Sequence, residues 1–396
     1  MNTKYTRSIL ISVLILVVIG TVMVYSSTAL MSMREHGSGF NFLWKHLYTV
    51  CIGTAVMLFL SRTDYRKYRS VVYVLLGVSF VLLILVFVPG VGISANGARR
   101  WLRLWPTTFQ PSELVKVVMV IFLADYMDKN LDRMRDFRYG IAIPAGLMLF
   151  FQIIILRQPD FGAVMSLGIL TFGLLILGGA RLRHIGSLVL LALPAVYMLI
   201  MTSSYRSKRL LCFLDPWKDP QGCGFQLVQS FIAFGNGSYW GLGLGGSKQK
   251  LYFLPEAHTD FIFSLIGEEL GLVGAMFVIA VFVWLFLKGF QVSMRTSDPF
   301  SYFLTLGMTM LIGVQAIINI AVSTGLMPTK GLPLPFISYG GSALLINMAA
   351  AGILMNIAKN GDVASVHSPD PLYVKGANRG ALQRAGRAHS WSHRLR

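Results

Sequence analysis

The stretch Ser8–Ser27 reads SILISVLILVVIGTVMVYSS, twenty residues without a charge. About 20 consecutive apolar residues are needed to carry an α-helix across the hydrocarbon core of a bilayer. This run therefore predicts a membrane span. It is too long for the core of a cleavable leader and lacks a small-residue cleavage site, so the first span is expected to stay. Further apolar runs follow at His46–Leu60, Ser70–Pro89, Pro111–Tyr126, Tyr139–Leu156, Phe161–Ala180, Ile185–Thr202, Thr259–Leu287, Phe300–Gly325 and Tyr339–Ala358, ten in all. Between the seventh and eighth lies a long polar stretch, 203–258, and after the tenth a basic tail, 361–396, expected to be unstructured. The composition agrees: 55% hydrophobic, 13% charged and a mean hydropathy of +0.63 in 396 residues. A soluble domain carries about 25% charged residues. A soluble enzyme, a disordered chain and a disulfide scaffold are excluded. The expected fold is an all-α polytopic membrane protein.

Lysine and arginine set the orientation, because short cytoplasmic loops are enriched in them. With the N-terminus inside, the short inner segments hold 14 basic residues and the short outer segments 7. An even number of spans then puts both termini in the cytoplasm and the long loop outside. The net charge is +18. Its outer share is the anomaly: Arg99, Arg100 and Arg103 stand together where basic residues are disfavoured, and Lys330 lies in the last outer loop. Arginine binds phosphate in a planar, two-point fashion and stays charged. The cluster reads either as lipid-facing anchorage or as a site for a phosphate-bearing membrane substrate. The placement gives no reason to expect nucleic acid.

Charged groups inside spans are costly, roughly 3 kcal/mol each, and are candidates for function. Glu113 and Lys116 are three apart behind Pro111, so they share a helix face. They either fix packing or support the site. Glu268 and Glu269 read as a hydrogen-bonded pair within the bundle. Asp260 stands at the outer start of its span, where the helix dipole favours a carboxylate. It suits a helix cap or a general base equally, with His258 as its nearest rival. No phosphate-loop, zinc-protease or zinc-finger pattern is present. Gly241–Gly246 (GLGLGG) follows no strand pattern and reads as a flexible loop. Cys51 lies in a span, while Cys212 and Cys223 share the outer loop and could bridge in an oxidising compartment. No internal repeat is evident.

Six stretches stand out: Phe213–Ser230 (FLDPWKDPQGCGFQLVQS), Gln249–Ser264 (QKLYFLPEAHTDFIFS), Met327–Ser342 (MPTKGLPLPFISYGGS), Asn96–Leu102 (NGARRWL), Gln110–Lys116 (QPSELVK) and Gln158–Gly162 (QPDFG). Together they resemble the SEDS family of bacterial cell-wall proteins. The resemblance spans about residues 8–360, in order. Pro255–Asp260 and Ile266–Gly271 are similar to the division branch, with sporulation and elongation branches as alternatives. Gly235–Trp240 (GNGSYW) departs from the paired glycines usual there. The resemblance implies a lipid II polymerase of the inner membrane, working at the septum. It would form β-1,4 glycan strands with inversion and release undecaprenyl pyrophosphate. The implied catalytic residue is Asp260. Substrate contacts are implied for Arg99, Arg100, Arg103, Glu113, Lys116, Arg206, Arg209, Glu256, His258, Lys330 and Ser338. A divalent cation could share the cationic work, but no ligand cluster requires one. The implied partners are a class B penicillin-binding protein and other division proteins of the membrane. A lipid II flippase is the alternative function. It would need ionisable residues strung through the bundle, whereas here they gather at the outer face.

Overall fold

The computed structural model describes residues 3–95, 98–104, 107–202, 204–247, 249 and 258–361. Its helices are α1 (Thr3–His36), α2 (Asn41–Arg62), α3 (Lys67–Leu85), α4 (Pro111–Lys129), α5 (Ile143–Arg157), α6 (Phe161–Leu177), α7 (Leu182–Met201), α8 (Ser204–Leu214), α9 (Phe225–Gly237), α10 (Ile262–Ser293), α11 (Pro299–Ser323) and α12 (Gly341–Asn360). A helix overlaps each of the ten expected apolar runs, though α3 stops at Leu85, short of Pro89, and α6 at Leu177, short of Ala180. Among the described residues, seven helical stretches are long and apolar enough to cross a membrane, those of α1, α2, α3, α5 with the π-turn before it, α10, α11 and α12. α6 is shorter, α7 contains Pro194, and α4 carries five charged side chains.

The centre is built from α4, α11 and α12. In α4 fifteen of nineteen residues are buried, so it is enclosed on all sides. α3, by contrast, buries only Tyr68, Val72, Ser79 and Leu83, one stripe at helical spacing. Its other faces carry exposed Val71, Tyr73, Val74 and Val78, apolar groups that suit lipid. α12 packs on α1 and α2, and α11 lies between α4 and α10.

Two expectations change. The fold is not purely helical: β1 (Gly92–Ala95), β2 (Ala98–Leu104) and β3 (Thr107–Phe109) form an antiparallel sheet between α3 and α4. The three arginines lie on β2. Alternation buries Ala98 and Leu102 and leaves Arg99 and Arg103 exposed. The long polar stretch is also structured, holding α8 and α9. Cys212 at the end of α8 and Cys223 just before α9 are joined by a disulfide, with Cα atoms 5.9 Å apart.

The Gly241–Gly246 run is a fixed element, not a free loop. α10 breaks at Gly271, which has φ 68°. The break sits about 13 Å along the helix at 1.5 Å per residue. The backbone groups it frees pair with the glycine segment. Leu242 and Gly243 donate to the carbonyls of Glu268 and Glu269, and Leu272 and Val273 donate to those of Ser238 and Tyr239. At Gly271 a Cβ would meet the Gly241 amide at 2.4 Å, so the close approach requires glycine. This pairing satisfies non-helical backbone within a span, as a bilayer demands. Glu269 accepts from the Ser26 hydroxyl at 2.6 Å, and Glu268 accepts from Asn236 at 3.3 Å and from Ser247. Both carboxylates are hydrogen-bonded inside the bundle, as expected of them.

Candidate active site

Asp260 lies in a turn before α10. The N-cap position belongs to Phe261, so Asp260 is not the cap residue of that helix. Three consecutive carbonyls of its turn are held from outside. Tyr339 donates its backbone N–H to the His258 carbonyl at 2.9 Å. The Ser338 hydroxyl donates to the Thr259 carbonyl at 2.6 Å and itself accepts from the Leu334 N–H at 2.8 Å. Asn319 of α11 donates to the Asp260 carbonyl at 2.9 Å. The loop between α11 and α12 is thereby fastened to the Asp260 turn. Gly331 makes the contact close: a Cβ there would sit 3.2 Å from Asp260 Oδ2. The His258 ring packs at 5.7 Å from Tyr339 and 6.2 Å from Phe42.

Lys330 adjoins Gly331. Its Nζ stands 5.6 Å from the centre of the Phe161 ring, and burial pushes its pKa below the usual lysine value. Phe161 opens α6, whose N-cap is Asp160, accepting from the Ala163 N–H at 3.1 Å. Gln110 and Ser112 also donate to Asp160, at 2.7 and 3.3 Å. Arg100 reaches the same segment, donating to the carbonyls of Gln158 at 3.2 Å and Pro159 at 2.5 Å. A continuous path thus runs from Arg100 through Pro159 and Phe161 to Lys330, Gly331 and Asp260. The sheet is tied in through Ser342, which accepts from the Gln110 N–H at 2.7 Å and donates to Thr108 at 3.2 Å. Arg209 of α8 donates to the Thr329 carbonyl at 3.2 Å.

Glu113 and Lys116 lie deeper. They form a pair of 2.7 Å that is 3% and 1% exposed, sealed by the surrounding helices. Gln315 donates to Glu113 at 3.2 Å, and Asn347 donates to Gln315 at 2.9 Å. The pair joins α4 to α11 and α12 beneath the surface cluster. Glu256 falls outside the described residues, and Arg206 stands on α8. Among the described residues no three His, Cys, Asp or Glu side chains come together as ligands for a metal.

Sequence reading missed Asn319, Gln315 and Asn347. The signal was present: Gln315, Asn319 and Ser323 recur every four residues within an apolar run, and all three are buried. Such a stripe marks the face of a helix that must find polar partners.

A multi-pass membrane helix bundle with charged groups converging on one end defines the class. The chain belongs to the family of cell cycle proteins comprising FtsW, RodA and SpoVE, matching it over residues 6–362. It is 45% identical over 356 residues to a probable peptidoglycan glycosyltransferase FtsW of Geobacter sulfurreducens, covering 90% of this chain and 95% of the relative. It is 37% identical over 362 residues to stage V sporulation protein E of Bacillus subtilis, covering 91% and 99%. Among solved structures it resembles a chain from work on structural coordination of polymerization and crosslinking by a peptidoglycan synthase complex. There the TM-score is 0.73 at 29% identity, over 89% of this chain and 96% of that one.

Proposed function

We propose that this chain is a peptidoglycan glycosyltransferase that polymerises lipid II during cell division. The observation that carries the reading is the path of residues linking Arg100, Lys330 and Asp260 at one end of a bundle of this family. Transfer with inversion needs a base on the attacking hydroxyl and stabilisation of the departing phosphate, the division of labour inverting glycosidases also use. In this reading Asp260 accepts the proton of the acceptor sugar's 4-hydroxyl. Lys330, Arg99, Arg100 and Arg103 meet the pyrophosphate of the donor as charge develops on it. Ser338 positions the Asp260 turn, and Glu113 with Lys116 supports the donor side from beneath. Arg206, Arg209, Glu256 and His258 border the substrate from the long loop. A divalent cation bound with the pyrophosphate would add charge stabilisation.

The same reading assigns ten spans, both termini in the cytoplasm and the Asp260 end outside, where polymer is needed. Residues 1–360 form the membrane domain and 361–396 a cytoplasmic tail. The enzyme works in the inner membrane at the septum with a class B penicillin-binding protein and other division proteins. A partner activates it by binding one arrangement of the outer loops better than another. The test is polymerisation of labelled lipid II by the purified chain, alone and with its cognate transpeptidase. Long glycan strands from the pair, and fewer from the chain alone, are expected. Transport of lipid II between leaflets without polymer would favour the flippase reading instead.

A further inference from the structure

Asn319 occupies a position that the chemistry of the reaction does not itself name. It lies on α11 and is 1% exposed. Its side-chain amide donates twice, to the Asp260 carbonyl at 2.9 Å and to the Leu332 carbonyl at 2.8 Å. Two acceptors facing one amide fix its orientation, because only the NH₂ side can meet two carbonyls. Among the described residues its buried Oδ1 has no hydrogen-bond partner. A buried acceptor left in that state is a cost, accepted here in return for the two bonds made on the other side. The two carbonyls belong to the two segments that carry the charges of the site. Asp260 is one segment; Leu332 is two residues from Lys330 in the other. One rigid amide therefore sets the distance between a carboxylate and an ammonium held in different loops.

We infer that Asn319 is a positioning residue that holds Asp260 and the Lys330 loop in register for transfer. It acts through the backbone and touches no substrate. The inference rests on the reading of Asp260 as base and Lys330 as leaving-group cation. A misplacement of about 1 Å at reacting groups can cost about 10²-fold in rate. Removing the amide leaves the substrate contacts in place, so the loss falls on turnover.

The experiment is steady-state polymerisation of lipid II by the full chain with its transpeptidase, comparing wild type, Asn319→Ala and Asn319→Asp. The aspartate variant keeps shape but lacks the two N–H donors. Both variants are expected to elute and melt in detergent close to wild type, with kcat lowered about 10- to 100-fold and KM changed less than about threefold. The second arm places Asn319→Ala in the Asp260→Asn background under single-turnover conditions. There the change should add almost nothing, since residues acting as a unit are not additive. Wild-type kcat in both variants, a loss carried by KM alone, or a full further loss in the Asp260→Asn background would overturn the inference. Failure of both variants to fold would also overturn it, as it would make Asn319 a purely structural post. Normal turnover by Asp260→Asn would instead sink the base assignment, and the kcat split of the Asn319 variants would still report on positioning.

Discussion

The two ends of the bundle are fastened in different ways. At the end away from Asp260, charges pair with charges. Arg69 of α3 meets Asp128 at 2.6 Å, Asp125 at 3.6 Å and Asp298 at 3.8 Å, while Lys129 meets Asp125 at 2.6 Å. The same guanidinium stacks 4.7 Å from the Phe300 ring. These contacts knit α3, α4 and α11 together. At the other end the carbonyls of the Asp260 turn accept from uncharged donors, Asn319, Ser338 and the Tyr339 amide, while Arg100 and Arg209 donate to carbonyls of the neighbouring loops. The charged groups there are arranged along a path, with Arg99 and Arg103 exposed to the outside of the sheet. Charges spent on one another make structure. At the other end neutral donors fix the turn that carries Asp260.

The largest expected effect falls on Asp260. Asp260→Asn keeps size and removes the proton acceptor, so polymerisation should fall by roughly 10²–10⁴-fold with melting unchanged. Turnover near wild type would break the contrast at its functional end. Next comes the buried pair. Glu113→Gln or Lys116→Met leaves a charge sealed in the bundle without its partner, at about 3–5 kcal/mol. The melting temperature in detergent should drop sharply, and replacing both partners by apolar residues should restore much of it. No drop for the single variants would mean that water reaches the pair.

Arg100→Ala should lower turnover about 10-fold, as expected for losing a charged hydrogen-bonding group, and Arg100→Lys should not restore the two-carbonyl contact. Arg99→Ala should do less, since Arg99 stands exposed on β2. Equal effects would argue that the arginines act only as a diffuse charge.

Lys330 makes a prediction about pH. Burial lowers its pKa in the folded chain relative to 10.5. In the window just below 10.5 the unfolded chain therefore binds more protons, and stability rises with pH there. Activity moves the other way, because the ammonium is lost earlier than in a free lysine. The alkaline limb of the rate profile should start below the ordinary lysine range, and Lys330→Arg should push it upward. An unmoved limb in that variant would remove Lys330 from the reaction.

Much of this was legible in the sequence, and the reasons differ by element. Charge-free runs such as Ser8–Ser27 and Phe161–Ala180 mark helices because a bilayer allows few alternatives. Pro111 and Glu113 correctly mark the start of α4. The sheet was not legible: its strands are seven residues or shorter, and its arginines stand out as charge before they stand out as alternation. The break in α10 was hidden because Gly271 is one glycine within a long apolar run, and its meaning depends on Gly241, thirty residues earlier. The clamp on Asp260 was hidden for a similar reason. Asn319 and Ser338 act on carbonyls 59 and 79 residues away, and any residue type offers a carbonyl.

The contrast between the ends is tested most directly by one conservative change at each, measured as polymerisation rate per folded molecule. Asp298 is the natural counterpart of Asp260. It caps α11 by accepting from the Ser301 N–H at 3.1 Å, a bond asparagine can also make. Asp298→Asn loses only its 3.8 Å approach to Arg69 and should keep wild-type turnover with a stability loss under about 1 kcal/mol. Asp260→Asn in the same assay should lose nearly all turnover and no stability. Equal turnover in the two variants, or a larger loss in Asp298→Asn, would contradict the assignment of the chemistry to the Asp260 end.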